Sequence, residues 1–184
     1  MKVLALSGSL RKESFNTKLL HAACECLSGE AEVVFADCAG VPLYNSDIDN
    51  EVKPEPVANL LRVIAGCDGI LIATPEYNYS IPGVLKNTID WVSRPAYKSV
   101  LVGKPTGILS AAKGPVGGAQ SQGHLRQVFS ATLTPVVPSP PFFLPMAQDK
   151  FDDGGALIDD GVRHRLDRYM QDFIAWVTLL SGRP

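Results

Sequence analysis

The sequence predicts an α/β fold: a doubly wound parallel sheet of five strands with helices on both faces. Short aliphatic and β-branched runs alternate with longer segments of helical period along the chain. Five such alternations in one domain indicate parallel strands joined by helical crossovers. The length of 184 residues favours a single domain over residues 1–184, because domains average roughly 150 residues.

Short apolar runs predict the first three strands. Residues Val3–Leu6 include no polar side chain, which is typical of a strand covered on both faces. Pro75 ends the third strand, because proline cannot donate a hydrogen bond to a neighbouring strand. Apolar residues spaced three and four apart predict the helices between the strands. In chain order we expect a strand at 2–6, a helix at 14–27, a strand at 31–36, a helix at 57–66 and a strand at 69–73.

The second half of the chain continues the alternation up to a long final helix. Ser80 is a candidate N-cap for the third helix, and Pro82 in its first turn costs no hydrogen bond. Pro135 and Pro138 weaken the fifth strand and indicate an edge position. We expect a helix at 81–92, a strand at 105–111, a helix within 114–131, a strand at 133–137 and a helix at 160–180.

Composition and charge exclude several classes of function. Lys and Arg number 17 and Asp and Glu 19, which gives a formal net charge of −2. This balance argues against non-specific nucleic-acid binding, which requires a basic field, and against a strongly acidic electron carrier. No apolar run approaches the roughly 20 residues of a membrane span, and the run at 3–6 is too short for an export signal. A cytoplasmic protein with reduced thiols is therefore expected, its four cysteines serving as small buried hydrophobes.

The loop after the first strand is a candidate phosphate site, because ligands of such sheets bind beyond the carboxyl ends of the strands. Residues 7–17 read SGSLRKESFNT and lead into a helix, whose N-terminal N–H groups suit a phosphate. Arg11 adds a charged fork. P-loop and dinucleotide motifs are absent, so the loop suits one terminal phosphate. The alternative is a solvated loop in which Ser14 only caps the helix.

The loops after the third and fourth strands are candidate walls for a flat ring. Glu76, Tyr77, Asn78 and Tyr79 follow the third strand and are able to border a heteroaromatic ring. Alternatively, the two tyrosines pack at a subunit contact. A structural role is favoured for Glu76 over a general base, because no His or nucleophile is partnered with it. The glycine-rich segment 110–119 lets the backbone approach a ligand, or serves tight turning alone.

Two motifs in these loops resemble the NAD(P)H-dependent FMN reductase family. The motifs are GSLRKESFN at 8–16 and PEYNYSIPGVLKNTIDW at 75–91. The likeness extends from residue 2 to about 138 and is nearest to bacterial quinone and chromate reductases, with azoreductases nearby. It implies a flavodoxin-like fold, non-covalently bound FMN, NADPH or NADH as reductant, and a homodimer or homotetramer.

The resemblance also implies which residues form the FMN site. By motif matching, the phosphate would be held by Ser9, Arg11, Ser14, Asn16 and Thr17. The isoalloxazine ring would be bordered by Pro75, Glu76, Tyr77 and Asn78, and the pocket would be completed by Ser110, Lys113, Gly114 and Gly117. No side chain need be catalytic or bind a metal, because the flavin carries the chemistry. Leu144–Asp160 departs most from the family pattern and is expected to be a variable surface loop.

The implied activity is a ping-pong transfer of hydride from NAD(P)H through FMN to an acceptor. The acceptors are quinones, free flavins, azo compounds or metal oxyanions such as chromate. Lys113 is a candidate to stabilise negative charge on the reduced ring. Two alternatives stay open. A flavodoxin-like one-electron carrier is disfavoured by the basic Arg11-Lys12 loop and the mild net charge. The other is a flavin-binding sensor without turnover.

Overall fold

A parallel β-sheet covered by helices forms the protein, for which a computed structural model describes residues 1–182. The strands within this range are β1 (Lys2–Ser7), β2 (Glu32–Asp37), β3 (Gly69–Ala73), β4 (Thr106–Ala111) and β5 (Phe142–Leu144). The α-helices are α1 (Phe15–Glu25), α2 (Glu55–Gly66), α3 (Gly83–Val92), α4 (Ala119–Ala131) and α5 (Asp160–Ser181). The strand order is β2-β1-β3-β4-β5, all parallel. The predicted doubly wound α/β fold is confirmed.

Both faces of the sheet are covered by hydrophobic cores. On one face, Val3 and Ala5 of β1 pack with residues of α1 and α5. On the other face, Leu4 and Leu6 of the same strand pack with residues of α2, α3 and α4. Because successive side chains of a strand point to opposite faces, β1 must be apolar at every interior position. Its unbroken apolar run is thereby explained.

The predicted fifth strand at 133–137 is wrong. This segment meets β4 at a single bridge, in which Thr106 N–H donates to Pro135 O (3.0 Å) and Val137 N–H donates to Thr106 O (2.9 Å). Prolines at 138, 140 and 141 then remove three backbone donors in four residues. The chain therefore leaves the sheet and returns at residue 142 to form β5.

A tyrosine from α5 completes the hydrogen bonding of β4 where the chain leaves the sheet. In a parallel strand alternate residues address the same neighbour, so Thr106, Ile108 and Ser110 all face the β5 side. The Tyr169 hydroxyl donates to Ile108 O (2.9 Å) and accepts from Ile108 N–H (2.7 Å). Burial raises the pKa of Tyr169 to about 12. The side chain thus takes the place of a missing strand residue.

The expected start of α3 is wrong, whereas α4 lies within its predicted range and one predicted cap is confirmed. Ser80 is not the N-cap of α3, because the helix begins at Gly83 after Pro82. Helix α4 begins at Ala119, after the glycine-rich turn. Ser14 does cap α1: its Oγ accepts a hydrogen bond of 3.3 Å from Thr17 N–H.

The segment 144–160 is anchored to the sheet and to α1. Phe151 is 7% exposed and stacks against Phe15, with the ring centroids 6.1 Å apart. Ala147 N–H donates to Ala112 O (3.0 Å), which ties the segment to the loop after β4. The expected surface loop therefore supports two of the loops at the carboxyl edge of the sheet.

The four cysteines are unpaired, and their thiols are protonated at neutral pH. Burial raises the pKa of Cys24 and Cys26 to about 12 and that of Cys38 to about 11, and it also raises the pKa of Cys67. Such thiols are poor nucleophiles. Cys38 and Cys67 are buried, as expected, whereas Cys24 and Cys26 are half-buried.

Candidate functional site

The three predicted loops meet at the carboxyl edge of the sheet, beside the reversal of strand order between β1 and β3. An open cavity of about 170 Å³, here called the inner cavity, lies among them. It is lined by Ser9, Arg11, Ser14, Phe15, Asn16, Pro75, Glu76, Tyr77, Ala111, Ala112 and Lys113. A second cavity of about 380 Å³, the outer cavity, is lined by Gly8, Ser9, Leu10, Arg11, Tyr77, Pro82, Gly83 and Val84. Ser9, Arg11 and Tyr77 line both cavities.

The loop after β1 presents hydrogen-bond donors at the start of α1. The N–H groups of Phe15 and Asn16 lie in the first turn and have no intrahelical acceptor, and the helix dipole is positive there. Ser9 and Ser14 line the cavity beside them. Arg11 is exposed and forms no ion pair with any residue between 1 and 182. Unpaired donors and a free guanidinium suit an anion.

The side chain of Asn16 ties the first loop to β4. Ala111 N–H donates to Asn16 Oδ1 (2.8 Å), and Asn16 Nδ2 donates to Ala111 O (2.9 Å). Ala111 lacks a β3 partner, because β3 ends at Ala73 and the last hydrogen bond to β4 on this side runs from Thr74 N–H to Leu109 O (3.0 Å). The side-chain amide replaces the missing peptide group. The backbone N–H of Asn16, in the first turn of α1, has no intrahelical acceptor and is left to address a ligand.

A two-residue hairpin follows β3 and carries the tyrosines. Tyr77 N–H donates to Ser80 O (2.9 Å), and Ser80 N–H donates to Tyr77 O (3.0 Å). Asn78 and Tyr79 between them have φ of 52° and 62°. Positive φ at both central residues defines a type I′ turn, which normally prefers Asn-Gly. The turn leaves Tyr77 47% exposed at the cavity and Tyr79 75% exposed beyond it.

Glu76 joins this hairpin to α4. Its Oε2 accepts hydrogen bonds from Gln120 N–H (2.9 Å) and Ser121 N–H (3.2 Å), at the first turn of the helix. A carboxylate is favourable at a helix N-terminus because it offsets the positive end of the dipole. This contact agrees with the structural role expected for Glu76.

The loop after β4 is held in place by hydrogen bonds of the buried Ser110 side chain. Ser110 is fully buried, donates to Gly117 O (2.7 Å) and accepts from Gln122 Nε2 (2.9 Å). Gly117 has φ of 67°, and a Cβ there would lie 2.9 Å from Pro145 N, so the position requires glycine. A Cβ at Gly114 would meet open space. Lys113 is exposed at the cavity and has no ion pair within the described chain.

Most of the expected site residues meet in one place. The inner cavity is lined by Ser9, Arg11, Ser14, Asn16, Pro75, Glu76, Tyr77 and Lys113. The remaining five residues, which do not line it, are Thr17, Asn78, Ser110, Gly114 and Gly117. The Thr17 hydroxyl shares a hydrogen bond of 2.8 Å with Ser7, at the base of the first loop. Sequence reasoning missed Phe15 as a lining residue, although it lies within the first motif.

The residues that line the inner cavity suit a mononucleotide, with hydrogen-bond donors for its phosphate and apolar side chains for its ring. Phe15 and Asn16, whose backbone N–H groups are free, line the inner cavity together with Ser9, Ser14 and Arg11. Tyr77 and Pro75 also line it and offer an apolar surface, on which a flat ring is able to pack.

Comparisons with known proteins agree with this geometry. The sequence profile of a family described as NADPH-dependent FMN reductase matches residues 1–149. A 2-hydroxy-1,4-benzoquinone reductase from Burkholderia sp. is 38% identical over 177 residues, which are 96% of each chain. An NAD(P)H-dependent FMN reductase from Pseudomonas aeruginosa is 40% identical over 182 residues, 99% of this chain and 98% of that one.

A solved structure shares the whole fold. FerB, a flavoenzyme NAD(P)H:(acceptor) oxidoreductase from Paracoccus denitrificans, superposes with a TM-score of 0.89 and is 30% identical. The match covers 97% of both chains. The profile match and these full-length relatives show that the chain belongs to the NADPH-dependent FMN reductase family, whose members are flavoprotein oxidoreductases.

Proposed function

We propose that this protein is an FMN-dependent NAD(P)H:quinone oxidoreductase that also reduces other small acceptors. The observation that carries the proposal is the inner cavity, where Ser9, Arg11, Ser14 and the start of α1 adjoin Tyr77 at the strand-order reversal of the sheet. When bound, FMN supplies the redox chemistry by accepting a hydride and passing the electrons on. The protein binds and orients it.

The phosphate end of the proposed site is the loop between β1 and α1. Ser9, Arg11 and Ser14 bind the phosphate through side chains, Asn16 adds its backbone N–H, and Thr17 supports the loop through its hydrogen bonds to Ser14 and Ser7. Arg11 supplies the strongest single contact, because hydrogen bonds between charged groups are the stronger class. The absence of an ion pair to Arg11 among residues 1–182 supports this role.

The ring end of the proposed site lies against the hairpin and the loop after β4. Pro75, Tyr77 and Asn78 border the ring, Glu76 belongs to the same segment but directs its carboxylate to α4, and Ser110, Gly114 and Gly117 shape the opposite loop. Lys113 places a positive charge at the cavity and favours the reduced, anionic ring. An unchanged flavin potential in Lys113→Ala would remove that role.

The outer cavity is the proposed place for the nicotinamide and the acceptor. Leu10, Pro82 and Val84 make its lining largely apolar, and it opens to solvent. One open cavity serves two flat substrates in turn, which favours a ping-pong order. The Burkholderia relative is named a 2-hydroxy-1,4-benzoquinone reductase, which supports quinones as acceptors. Free flavins, azo compounds and chromate are further candidate acceptors.

We further propose that the enzyme acts in the cytoplasm as a homodimer or homotetramer. Its four thiols are unpaired, as is usual in a reducing compartment. Within residues 1–182 no helix combines the length and apolarity needed to span a bilayer. Exposed Tyr77 and Tyr79 support a subunit contact beside the site, and sedimentation equilibrium would give the number of subunits.

The test is an anaerobic titration of FMN-loaded protein with NADPH and, separately, with NADH. We expect the oxidised flavin absorption to disappear with one equivalent of reductant and to return on addition of benzoquinone. Heat-denatured protein with the same FMN serves as the control for free flavin. Bound FMN that neither nicotinamide reduces would contradict the proposal and favour the one-electron carrier or the sensor.

A further inference from the structure

We infer that Glu76 is a positioning residue for the proposed FMN site. Its carboxylate holds the hairpin Tyr77–Ser80 against the N-terminus of α4, and so fixes the wall of the cavity without contacting the cofactor. The inference rests on the proposed function and assigns one side chain of that site a mechanical role.

The contacts of Glu76 are those of a helix cap supplied from another element. Its Oε2 accepts from Gln120 N–H (2.9 Å) and Ser121 N–H (3.2 Å). The residue at the N-cap position of α4 itself is Gly118, with φ of 87°, and it has no side chain to cap the helix. Glu76 therefore satisfies two N–H groups that the local sequence leaves open.

The hairpin needs an external support. Asn78 and Tyr79 both have left-handed backbone conformations, and a residue with a Cβ adopts this region unfavourably. Such conformations persist where the surrounding structure holds them in place. Two hydrogen bonds within the turn close it on itself, but they do not attach it to the rest of the molecule.

The far end of the hairpin is attached to the same helix. Ser80 Oγ and His124 Nδ1 are 3.0 Å apart and share a hydrogen bond. Glu76 precedes the turn and Ser80 ends it, so both ends are fixed to α4. His124 lies one turn beyond the residues that Glu76 caps, which places the two attachments side by side along the helix.

Tyr77 connects the attached hairpin to the ligand site. It lies one residue after Glu76 and lines both the inner and the outer cavity. Loss of the Glu76 carboxylate would free the hairpin, so that Tyr77 no longer holds one position between the two cavities. FMN binding should then weaken although no group that contacts FMN has been removed.

The experiment compares Glu76→Ala, Glu76→Gln and the control Glu32→Ala. Glu32 is also a carboxylate with a partner, since it pairs with Lys2 Nζ at 2.7 Å, but it lies at the start of β2. The first measurement is amide hydrogen exchange in flavin-free protein. We expect faster exchange of the Gln120, Ser121 and Tyr77 amides in Glu76→Ala, and none of these changes in the control.

The second measurement is the FMN dissociation constant, from quenching of flavin fluorescence, together with the visible circular dichroism of the bound flavin. We expect Glu76→Ala to weaken binding about tenfold, the effect of losing one charge-assisted hydrogen bond, and to alter the dichroism. Glu76→Gln retains an oxygen acceptor and should recover most of both properties. Recovery by an uncharged acceptor is not expected of a general destabilisation.

Several outcomes would overturn the inference. Unchanged exchange in Glu76→Ala would show that the carboxylate does not hold the hairpin. Equal loss of FMN binding in both Glu76 variants, with unchanged exchange, would instead make Glu76 a direct ligand of FMN. Faster exchange in a protein whose wild type binds no FMN would support the attachment while refuting the proposed function. If Glu76→Ala does not fold, Ser80→Ala tests the second attachment: faster exchange of the Tyr77 and Ser80 amides supports the inference, and no change overturns it.

Discussion

Replacing Tyr169 with Phe should destabilise the protein by about 2–4 kcal/mol. Phe keeps the ring in the core but removes the hydroxyl that donates to Ile108 O and accepts from Ile108 N–H. Ile108 is fully buried, so both backbone groups lose their partner away from water. Each unsatisfied buried group costs about 1–3 kcal/mol, and partial rearrangement of the neighbours lowers the sum. For a chain of this size the melting temperature should fall on the order of 10 °C.

Urea unfolding followed by circular dichroism measures this change. The matched control is Tyr97→Phe, because Tyr97 is 71% exposed and its hydroxyl has no hydrogen bond to any residue in 1–182. The control should stay within about 0.5 kcal/mol of wild type. A Tyr169→Phe protein as stable as this control would refute the conclusion that the hydroxyl substitutes for a strand residue.

Three further predictions concern the cavity and the thiols. Arg11→Ala should weaken FMN binding by roughly 1.5–3 kcal/mol, as measured by fluorescence quenching; unchanged affinity would place the phosphate elsewhere. Asn16→Asp keeps the acceptor for Ala111 N–H but sets a carboxylate against Ala111 O, so urea unfolding should show a loss of about 1–3 kcal/mol, and equal stability would contradict this. The pKa of Cys38, about 11 against an ordinary 9.0, should slow its alkylation at about pH 8 roughly 100-fold relative to unfolded protein; comparable rates would show an open thiol. Since this pKa is raised by folding, its contribution to stability is present below pH 9.0 and is lost as the pH rises through about 11.

The edge strand β2 could be predicted from its β-branched and aromatic residues, and β1, β3 and β4 because each is buried on both faces. Burial of this kind leaves a continuous apolar run, such as Val3–Leu6, bounded by polar residues or proline. The fifth strand could not be placed, since only three residues form it. The apolar residues at 133–137 resembled a strand, but Leu133 has φ of 56° and Pro135 cannot donate to a ladder.

The loops of the candidate site could be predicted, but the attachments between them could not. Strand alternation fixes which chain segments reach the carboxyl edge, so the cavity-lining residues follow from topology. The partners of Asn16 and Glu76 lie 95 and about 44 residues away along the chain. No local pattern of residue types indicates such pairs. The family resemblance implied both residues at the ligand, and for Glu76 the residues themselves favoured a structural role, but in neither case could the backbone partner be named.

Because Tyr169 of α5 bonds to β4 between Val137 and β5, the length of the connection from Val137 to β5 is not fixed by strand pairing. The segment 138–141 connects Val137, which bonds to β4, with Phe142, which starts β5, and among residues 1–182 its backbone makes no hydrogen bond to the sheet. Because Tyr169 already saturates Ile108, no strand register fixes the number of residues in this connection. Insertions are least costly where ladder bonding is absent. The segment is therefore a natural position for added residues, such as a short affinity tag, with the sheet on either side unchanged.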